Sequence, residues 1–382
     1  GQDPLARSRI GMATRPHELA AQAGLNILKS GGNAVEAAIA IGACLSVTYP
    51  HFTGLGGDGF MLVADARGKV STISGIGQAP RLLPTFDASV NAIPHRGPVS
   101  MLTTAGNVDA MGKAFELSRR ELGGRQSWAS LLTPAVMLAR DGFPWTASGH
   151  FWLDFRAREM NRLPGVASVF LANGKAPAVG ENVRQPHLAR TLETLAERGH
   201  RDFYEGYLAA RLVEGLQQAG SPLTAVDRAA TAARVEPPLA QAYRGGMLLA
   251  HQPPTQGVTT LQIMGILDRF DLAAIPEGSA DYYHVLVEAV KCAFNERNRY
   301  LADPDFSPVP CERLLSSAAL DRAAARVNMA HAQPWPHGFQ PGDTVYIGAT
   351  DAAGNSVSML QTLYYAWGSG IVAGDTGVLW HN

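Results

Sequence analysis

The sequence has few cysteines and no surplus of either charge, and both features limit what it can do. Its 382 residues include three cysteines, which are far apart and odd in number: Cys44, Cys292 and Cys311. This excludes a disulfide framework and paired zinc-ligand spacing, so we expect buried, inert thiols. Lys and Arg total 32 against 33 Asp and Glu. Such a balance builds no basic field for nucleic acid, and we expect no nucleic-acid partner.

Several motifs and long apolar runs are also missing from the chain. No run of about 18 apolar residues occurs, so we predict no membrane span or membrane partner. The sequence contains no HExxH, GxSxG or GxxxxGK[ST] motif, which removes three common enzyme classes. No metal or organic cofactor is indicated. Hydrophobic residues make up 46% and charged residues 17%, a composition that supports a large core.

The apolar periodicity predicts helices at the beginning and in the middle of the chain, and hairpins near both ends. Apolar stripes predict a helix over 16–29 and a fully buried helix over 34–47. Alternation predicts one hairpin over 60–74 and another over 344–362. Further helices are predicted over 105–122, 127–140, 185–197, 203–219, 258–270 and 280–301. A helical middle between strands predicts one layered α/β unit.

The glycine-rich loop 54–59 invites comparison with a dinucleotide-binding loop. It precedes a strand-like segment, however, rather than opening a helix after a strand. No acidic residue follows in the context that ribose binding needs. We therefore expect this loop to let the backbone approach closely in the core or beside an active site.

Five segments in chain order resemble the gamma-glutamyltranspeptidase family of N-terminal-nucleophile hydrolases. They are LKSGGNAVEAAIA (28–40), GLGGDGFMLV (54–63), ARDGF (139–143), PPTQGVTTLQI (253–263) and GDTVYIGATDAAGNSVSMLQTLYYAWGSGIV (342–372). Each segment is weak evidence alone. Together they span nearly the whole chain.

The resemblance implies an α+β fold, a four-layer αββα sandwich with a helix-rich large subunit, and a precursor that cuts itself. Cleavage between Asp343 and Thr344 would give a large subunit, 1–343, and the start of a small subunit, 344–382. Thr344 would be the nucleophile and its freed α-amine the base, whose reference pKa near 8 suits proton transfer. Thr362 falls at the position that orients the nucleophile's hydroxyl. Read locally, Thr344 is only the first residue of a β-hairpin after a Pro-Gly loop (Pro341-Gly342), and Thr362 an ordinary strand residue.

Three positions depart from what the family typically has. Ile76 stands where an arginine holds the substrate's α-carboxylate, and isoleucine cannot replace a bidentate pair. Tyr364 stands where the family has an Asn, and Val345-Tyr346 replaces Thr-His after the nucleophile. These changes argue against a gamma-glutamyl donor. The amidohydrolase branch of the family, which includes oxamate amidohydrolase, is a better match, since four segments resemble it: YPHFTGLGGDGF (49–60), PHRGP (94–98), PPTQG (253–257) and GDTVYIG (342–348).

A small anionic amide would still need a cation or hydrogen-bond donors. Arg96, beside His95, and His51 are candidates, although a surface arginine and a structural histidine are the plainer readings. Tyr364 could offer its hydroxyl to the substrate or simply pack. The segment 368–372 resembles a wall of the pocket but could equally be a plain loop.

We therefore predict a self-processing N-terminal-threonine hydrolase that cleaves a small, oxamate-like amide through an acyl-enzyme. The alternatives are a gamma-glutamyltransferase or glutathione hydrolase, and a catalytically silent, uncleaved relative that binds a partner. The expected partners are the amide substrate and the chain's own small subunit, as a heterodimer that in this family sometimes pairs again. Family members continue past the position of Asn382 into substrate-binding serines and a Gly-Gly oxyanion hole, so we expect the sequence to be truncated. We expect a cytoplasmic location, with the periplasm as the alternative.

Overall fold

A computed structural model describes residues 5–8, 11–14, 16–336 and 342–382. The strands are β1 (Leu5–Ser8), β2 (Gly11–Thr14), β3 (Asp58–Ala64), β4 (Val70–Gly75), β5 (Phe143–Pro144), β6 (Asn182–Val183), β7 (Arg234–Glu236), β8 (Leu239–Tyr243), β9 (Gly246–Ala250), β10 (Asp343–Asp351) and β11 (Ser356–Tyr364). The helices are α1 (Glu18–Lys29), α2 (Ala34–Thr48), α3 (Asn107–Glu121), α4 (Trp128–Asp141), α5 (Ala147–Met160), α6 (Val166–Phe170), α7 (Pro186–Arg198), α8 (Asp202–Glu205), α9 (Tyr207–Gln218), α10 (Ala225–Ala229), α11 (Gly257–Leu267), α12 (Ala280–Tyr300), α13 (Cys311–Leu314) and α14 (Ser317–Ala325).

The main sheet places the two strands nearest the C-terminal end of the sequence at its centre. Its order is β1-β2-β10-β11-β3-β4-β7. β10 and β11 form an antiparallel hairpin, and β3 pairs antiparallel with β11, with Thr362 opposite Asp58. Side chains directly opposite each other on paired strands lie on the same face. The sheet therefore places Asp58, from the beginning of the chain, beside the hairpin of β10 and β11.

Helices α1, α2 and α3 pack on one face of this sheet. Every residue of α2 is buried, and the helix begins with a capping box in which Asn33 and Glu36 exchange side-chain and backbone hydrogen bonds. α2 packs against β10 and β11, α1 against β1 and β2, and α3 against β3. Gly42 permits the close approach of α2, because a Cβ there would lie 2.3 Å from Gln361 Nε2. Helix α4 packs against α2 and α7 in a second helical layer.

The chain divides into two compact units, which corrects the prediction of a single layered unit. The first comprises 1–69, 73–235 and 341–382, and the second 70–72 and 236–340. The second unit has a hairpin, β8–β9, and helices α11 to α14 around a core of its own. That core contains Ile266, Leu267, Val285, Ala289, Cys292 and Leu320. A separate core lets these residues form a unit of their own.

The structure confirms most predicted elements, divides one of them into two helices and adds a helix that was not predicted. The predicted helix 203–219 is two helices, because Asp202 accepts hydrogen bonds from the amides of Tyr207 and Leu208 and so starts a new helix after Gly206. Helix α5 was not predicted, and its sequence shows no clear apolar stripe. Pro341 of the predicted Pro-Gly loop lies outside the described residues.

The cysteines match the expected inert thiols in part. Cys44 and Cys292 are buried, Cys311 is half-buried, and all three are free. Burial raises the pKa of Cys44 to about 12. In the described part of the chain, no helix is long and apolar enough to cross a membrane. The same residues contain no cluster of three or more His, Cys, Asp or Glu that could hold a metal ion.

Candidate active site

The bond between Asp343 and Thr344 lies at the start of β10, in the middle of the sheet. Strand β10 runs through this bond, so the structure is that of an uncut chain. The register with β11 shifts here, since Asp343 is opposite Tyr364 but Val345 is opposite Gln361. The bulge is therefore in β11, where Thr362 and Leu363 both face Thr344, and Thr344 is exposed while Val345 is buried. Bulges occur often beside active sites because they redirect a side chain.

Thr362 contacts the carbonyl group that a nucleophilic Thr344 would attack. Its hydroxyl donates a hydrogen bond to the Asp343 carbonyl oxygen at 2.6 Å. The same hydroxyl oxygen accepts the backbone N–H of Tyr364 at 2.8 Å. This chain of two hydrogen bonds fixes the hydroxyl proton toward the carbonyl and polarises it. In the uncut chain Thr362 thus contacts the acyl group. Its role in orienting the Thr344 hydroxyl stays a prediction.

Tyr364 has a backbone conformation that a tyrosine rarely adopts. Its φ is +73°, in the left-handed region where Asn is tolerated far better than a bulky residue. The ring edge lies 3.6 Å from where a Cβ would stand on Gly342, and 43% of the residue is exposed. Backbone strain of this kind clusters at functional sites. The structure therefore brings Tyr364 next to the predicted cleavage bond.

His51 is enclosed by other parts of the protein. It is 0% exposed, and its Nε2 is 3.1 Å from Ser148 Oγ. Burial lowers its pKa to about 3, with a smaller contribution from the positive charge of His17, so the ring is neutral at pH 7. The His51 carbonyl accepts the Trp367 N–H at 2.7 Å. These contacts hold the turn that follows β11, and the predicted contact of His51 with substrate stays a prediction.

Arg96 is largely committed to partners within the protein. Its Nε and Nη2 donate to the two carboxylate oxygens of Glu159 at 2.9 and 3.4 Å, and its Nη1 donates to the Gly368 carbonyl at 2.5 Å. The next residue, Gly97, donates its N–H to the Ser369 carbonyl. The segment 368–372 thus anchors the loop that carries Arg96, and the role of Arg96 toward substrate stays a prediction.

Arg156, on α5, is a cation near the cleavage bond that the sequence reasoning missed. Burial raises the pKa of the Asp343 carboxyl group, and the positive charge of Arg156 opposes that rise. Arg156 Nη2 donates to the Tyr365 hydroxyl at 2.6 Å. Its guanidinium carbon lies 4.9 Å from the Tyr365 ring centre, and that of Arg96 lies 4.6 Å away. No local motif in the sequence marks Arg156, because its partners are distant in the chain.

Asp58 is a second residue that the sequence reasoning did not single out. It lies opposite Thr362 on β3, on the same face of the sheet. Its Oδ1 accepts the amides of Gly77 and Gly106 at 2.9 and 3.3 Å. Ile76, where the family typically has its carboxylate-binding arginine, immediately precedes Gly77. On the β3 side of Thr362 the structure therefore presents a carboxyl group and an apolar side chain.

Comparison with known proteins agrees with this geometry. The sequence profile of the Gamma-glutamyltranspeptidase family matches residues 20–382. The chain belongs to the gamma-glutamyltranspeptidase family. It is 41% identical over 377 residues to the oxamate amidohydrolase proenzyme of Klebsiella pneumoniae, covering 98% of this chain and 71% of that protein. It is 40% identical over 376 residues to the glutathione hydrolase-like YwrD proenzyme of Bacillus subtilis, covering 97% of this chain and 70% of that protein.

The solved structures confirm the fold class predicted from sequence. The cephalosporin acylase of Bacillus halodurans superposes with a TM-score of 0.87 at 31% identity, covering 100% of this chain and 70% of that one. The chain is thus an α+β hydrolase fold of the N-terminal-nucleophile type, and it is an enzyme of this gamma-glutamyltranspeptidase-like group. In the described part of the chain, this fold consists of the seven-stranded sheet and the helices that pack on it.

Proposed function

We propose that this chain is the precursor of a self-processing threonine amide hydrolase, cut between Asp343 and Thr344. The observation that carries the proposal is the 2.6 Å hydrogen bond from the Thr362 hydroxyl to the Asp343 carbonyl, beside the exposed Thr344. Before cleavage Thr344 has no free α-amine to act as a base. Polarisation of the carbonyl is therefore the assistance that the described residues can give to the first step.

In that first step, Thr344 Oγ bonds to the Asp343 carbonyl carbon, the peptide C–N bond breaks, and the hydroxyl proton passes to the departing Thr344 nitrogen. The resulting ester is hydrolysed by water, which leaves a carboxylate on Asp343 and a free α-amine on Thr344. The freed amine then accepts the Oγ proton when Thr344 attacks a substrate amide, and the proton passes to the departing amine. Water releases the acyl group. The two fragments stay together as a heterodimer.

The substrate we propose is a small anionic amide such as oxamate. Ile76 and Tyr364 remove two features with which family members hold a gamma-glutamyl group, and the relative named as an oxamate amidohydrolase shares 41% identity. A glutathione hydrolase is the second candidate, since the relative named as glutathione hydrolase-like is 40% identical to this chain. Hydrolysis rates measured side by side on oxamate and on gamma-glutamyl-p-nitroanilide distinguish these two functions. We expect the faster turnover on oxamate.

The proposal is tested by intact mass spectrometry and N-terminal sequencing of the purified protein. A fragment beginning Thr344-Val345-Tyr346 is the expected result. Thr344→Ala should give one uncut chain with no amidase activity, whereas Thr344→Ser keeps a hydroxyl and should still be cut. A Thr344→Ala chain cut at the same bond would refute the nucleophile. A wild-type chain that stays whole would instead favour a silent, partner-binding relative.

A further inference from the structure

Arg156 is held in a fixed orientation but keeps hydrogen-bonding capacity to spare. Its guanidinium group lies between the rings of Phe155 and Tyr365, 4.8 and 4.9 Å from their centres. Its side chain is 22% exposed. Its Nη1 lies 3.8 Å from the Glu159 carboxylate, too far for a hydrogen bond, and is therefore the donor left for a ligand. Its Nε also has no acceptor among the described residues, but that atom is buried. A pre-oriented arginine with free donors is well suited to binding a carboxylate.

The neighbouring Arg96 differs in this respect. Its Nε, Nη1 and Nη2 all have acceptors within the protein, and its side chain is only 10% exposed. Glu159 lies 2.9 Å from Arg96 Nε but 3.8 Å from Arg156 Nη1, so it neutralises Arg96 first. Around Tyr365 the protein thus places two arginines against one glutamate.

In the uncut chain, Asp343 supplies the second negative charge. Asp343 lies opposite Tyr364 in the pair of β10 and β11, and the hydroxyl of the next residue, Tyr365, accepts a hydrogen bond from Arg156 Nη2. The Arg156 charge accordingly opposes the effect of burial on the Asp343 pKa. Cleavage turns Asp343 into the end of the large subunit. Once that end leaves Thr344, the arginines exceed their carboxylate partners by one charge beside the nucleophile.

On the β3 side of Thr362 there is a carboxyl group, Asp58, whose Oδ1 lies 3.9 Å from His381 Nδ1. There Ile76 is apolar, and Asp58 accepts two backbone amides. A substrate carboxylate on that side would meet a carboxyl group, and like charges in one site repel each other. Among the described residues near Thr344, the charge balance therefore favours binding of a substrate carboxylate next to Arg156 rather than next to Asp58.

We propose that Arg156 binds the carboxylate of the substrate, in the place that the Asp343 side chain holds before cleavage. This inference rests on the proposed function and names its substrate class, the monoamides of short dicarboxylic acids. The acyl group of Asp343, from the scissile carbonyl to the side-chain carboxylate, has the carbon skeleton of succinamate. Succinamate therefore joins oxamate as a substrate.

The test compares pairs of amides that differ in charge but hardly in size. Oxamate is paired with oxamide, and succinamate with succinamide. The measured quantity is the ratio of kcat/KM for the anion to kcat/KM for its neutral partner. Replacing Arg156 by Gln should lower this ratio by about tenfold to a hundredfold, as expected for lost hydrogen bonds to a charged group. Arg156→Lys keeps a positive charge and should retain part of the preference.

Arg158→Gln is the matched control, because Arg158 lies on the same helix and is exposed. Its ratio should equal that of the wild type. Fragments on a denaturing gel and a thermal melt show that each variant is processed and folded. An unchanged ratio in a processed Arg156→Gln enzyme, or an equal loss on anionic and neutral amides, would overturn the role of Arg156. A wild type that is neither cut nor active on any amide would overturn the proposed function, and this inference with it.

Discussion

Removing the Thr362 hydroxyl should slow self-cleavage while leaving the fold intact. Thr362→Val keeps the size and branching of the side chain. It deletes the donor that lies 2.6 Å from the Asp343 carbonyl oxygen, and the acceptor 2.8 Å from the Tyr364 N–H. The mutation therefore removes one hydrogen bond to the oxygen on which negative charge develops when Thr344 attacks.

The size of the effect follows from comparable donors. Loss of one preorganised donor to a developing oxyanion typically costs about 10² to 10³ in rate, or about 3 to 4 kcal/mol in the barrier. The native state loses much less, about 1 to 2 kcal/mol, because one backbone amide is left without its acceptor. The cleavage rate should thus fall far more than the free energy of unfolding.

The assay is a time course of precursor and fragments by gel and intact mass, started from freshly synthesised protein. Thr362→Ser is the control, since it restores the hydroxyl and should process within about tenfold of the wild type. Urea unfolding on a Thr344→Ala background measures stability without interference from cleavage. Wild-type cleavage by a folded Thr362→Val chain would show that the hydroxyl does not act on the carbonyl.

Three further changes test other parts of the site. Tyr364→Asn should raise the free energy of unfolding by about 1 kcal/mol in urea titrations, because Asn tolerates positive φ better than Tyr. The depressed pKa of His51, about 3, means that its contribution to stability is complete above pH 6.5 and is lost as the pH falls below it. Between pH 7 and pH 5, the free energy of unfolding of His51→Gln should therefore fall by about 2 kcal/mol less than that of the wild type, as measured by urea titrations at the two pH values. Ile76→Arg should not create measurable glutathione turnover, because the new cation would lie near the Asp58 carboxyl and Tyr364 would remain; strong turnover would contradict this account.

The sequence predicted well those elements in which the apolar periodicity agrees with the capping or turn residues at the ends. Helix α2 was predicted over 34–47 and found over 34–48, since Asn33 caps a run of apolar residues. The hairpin of β10 and β11 was predicted to within two residues at each end, because alternation flanks a Gly354-Asn355 turn. Helix α5 was missed for the opposite reason: Phe151 and Phe155 are more than half exposed, so no single apolar face marks it.

The same contrast applies to the site. Thr344 and Thr362 belong to one hairpin, so their proximity follows from local pairing and could be predicted once the family motifs were noticed. Arg156 reaches Tyr365 across 209 residues of sequence, and only the tertiary packing of α5 against the turn after β11 brings them together. The loss of an arginine at Ile76 indicated that a cation must come from elsewhere, without indicating from where. Because a carboxylate is stabilised by whichever fixed cation lies within a few ångströms, a site can keep its substrate charge while the cation moves to another element. We propose that in this chain the cation is Arg156 of α5.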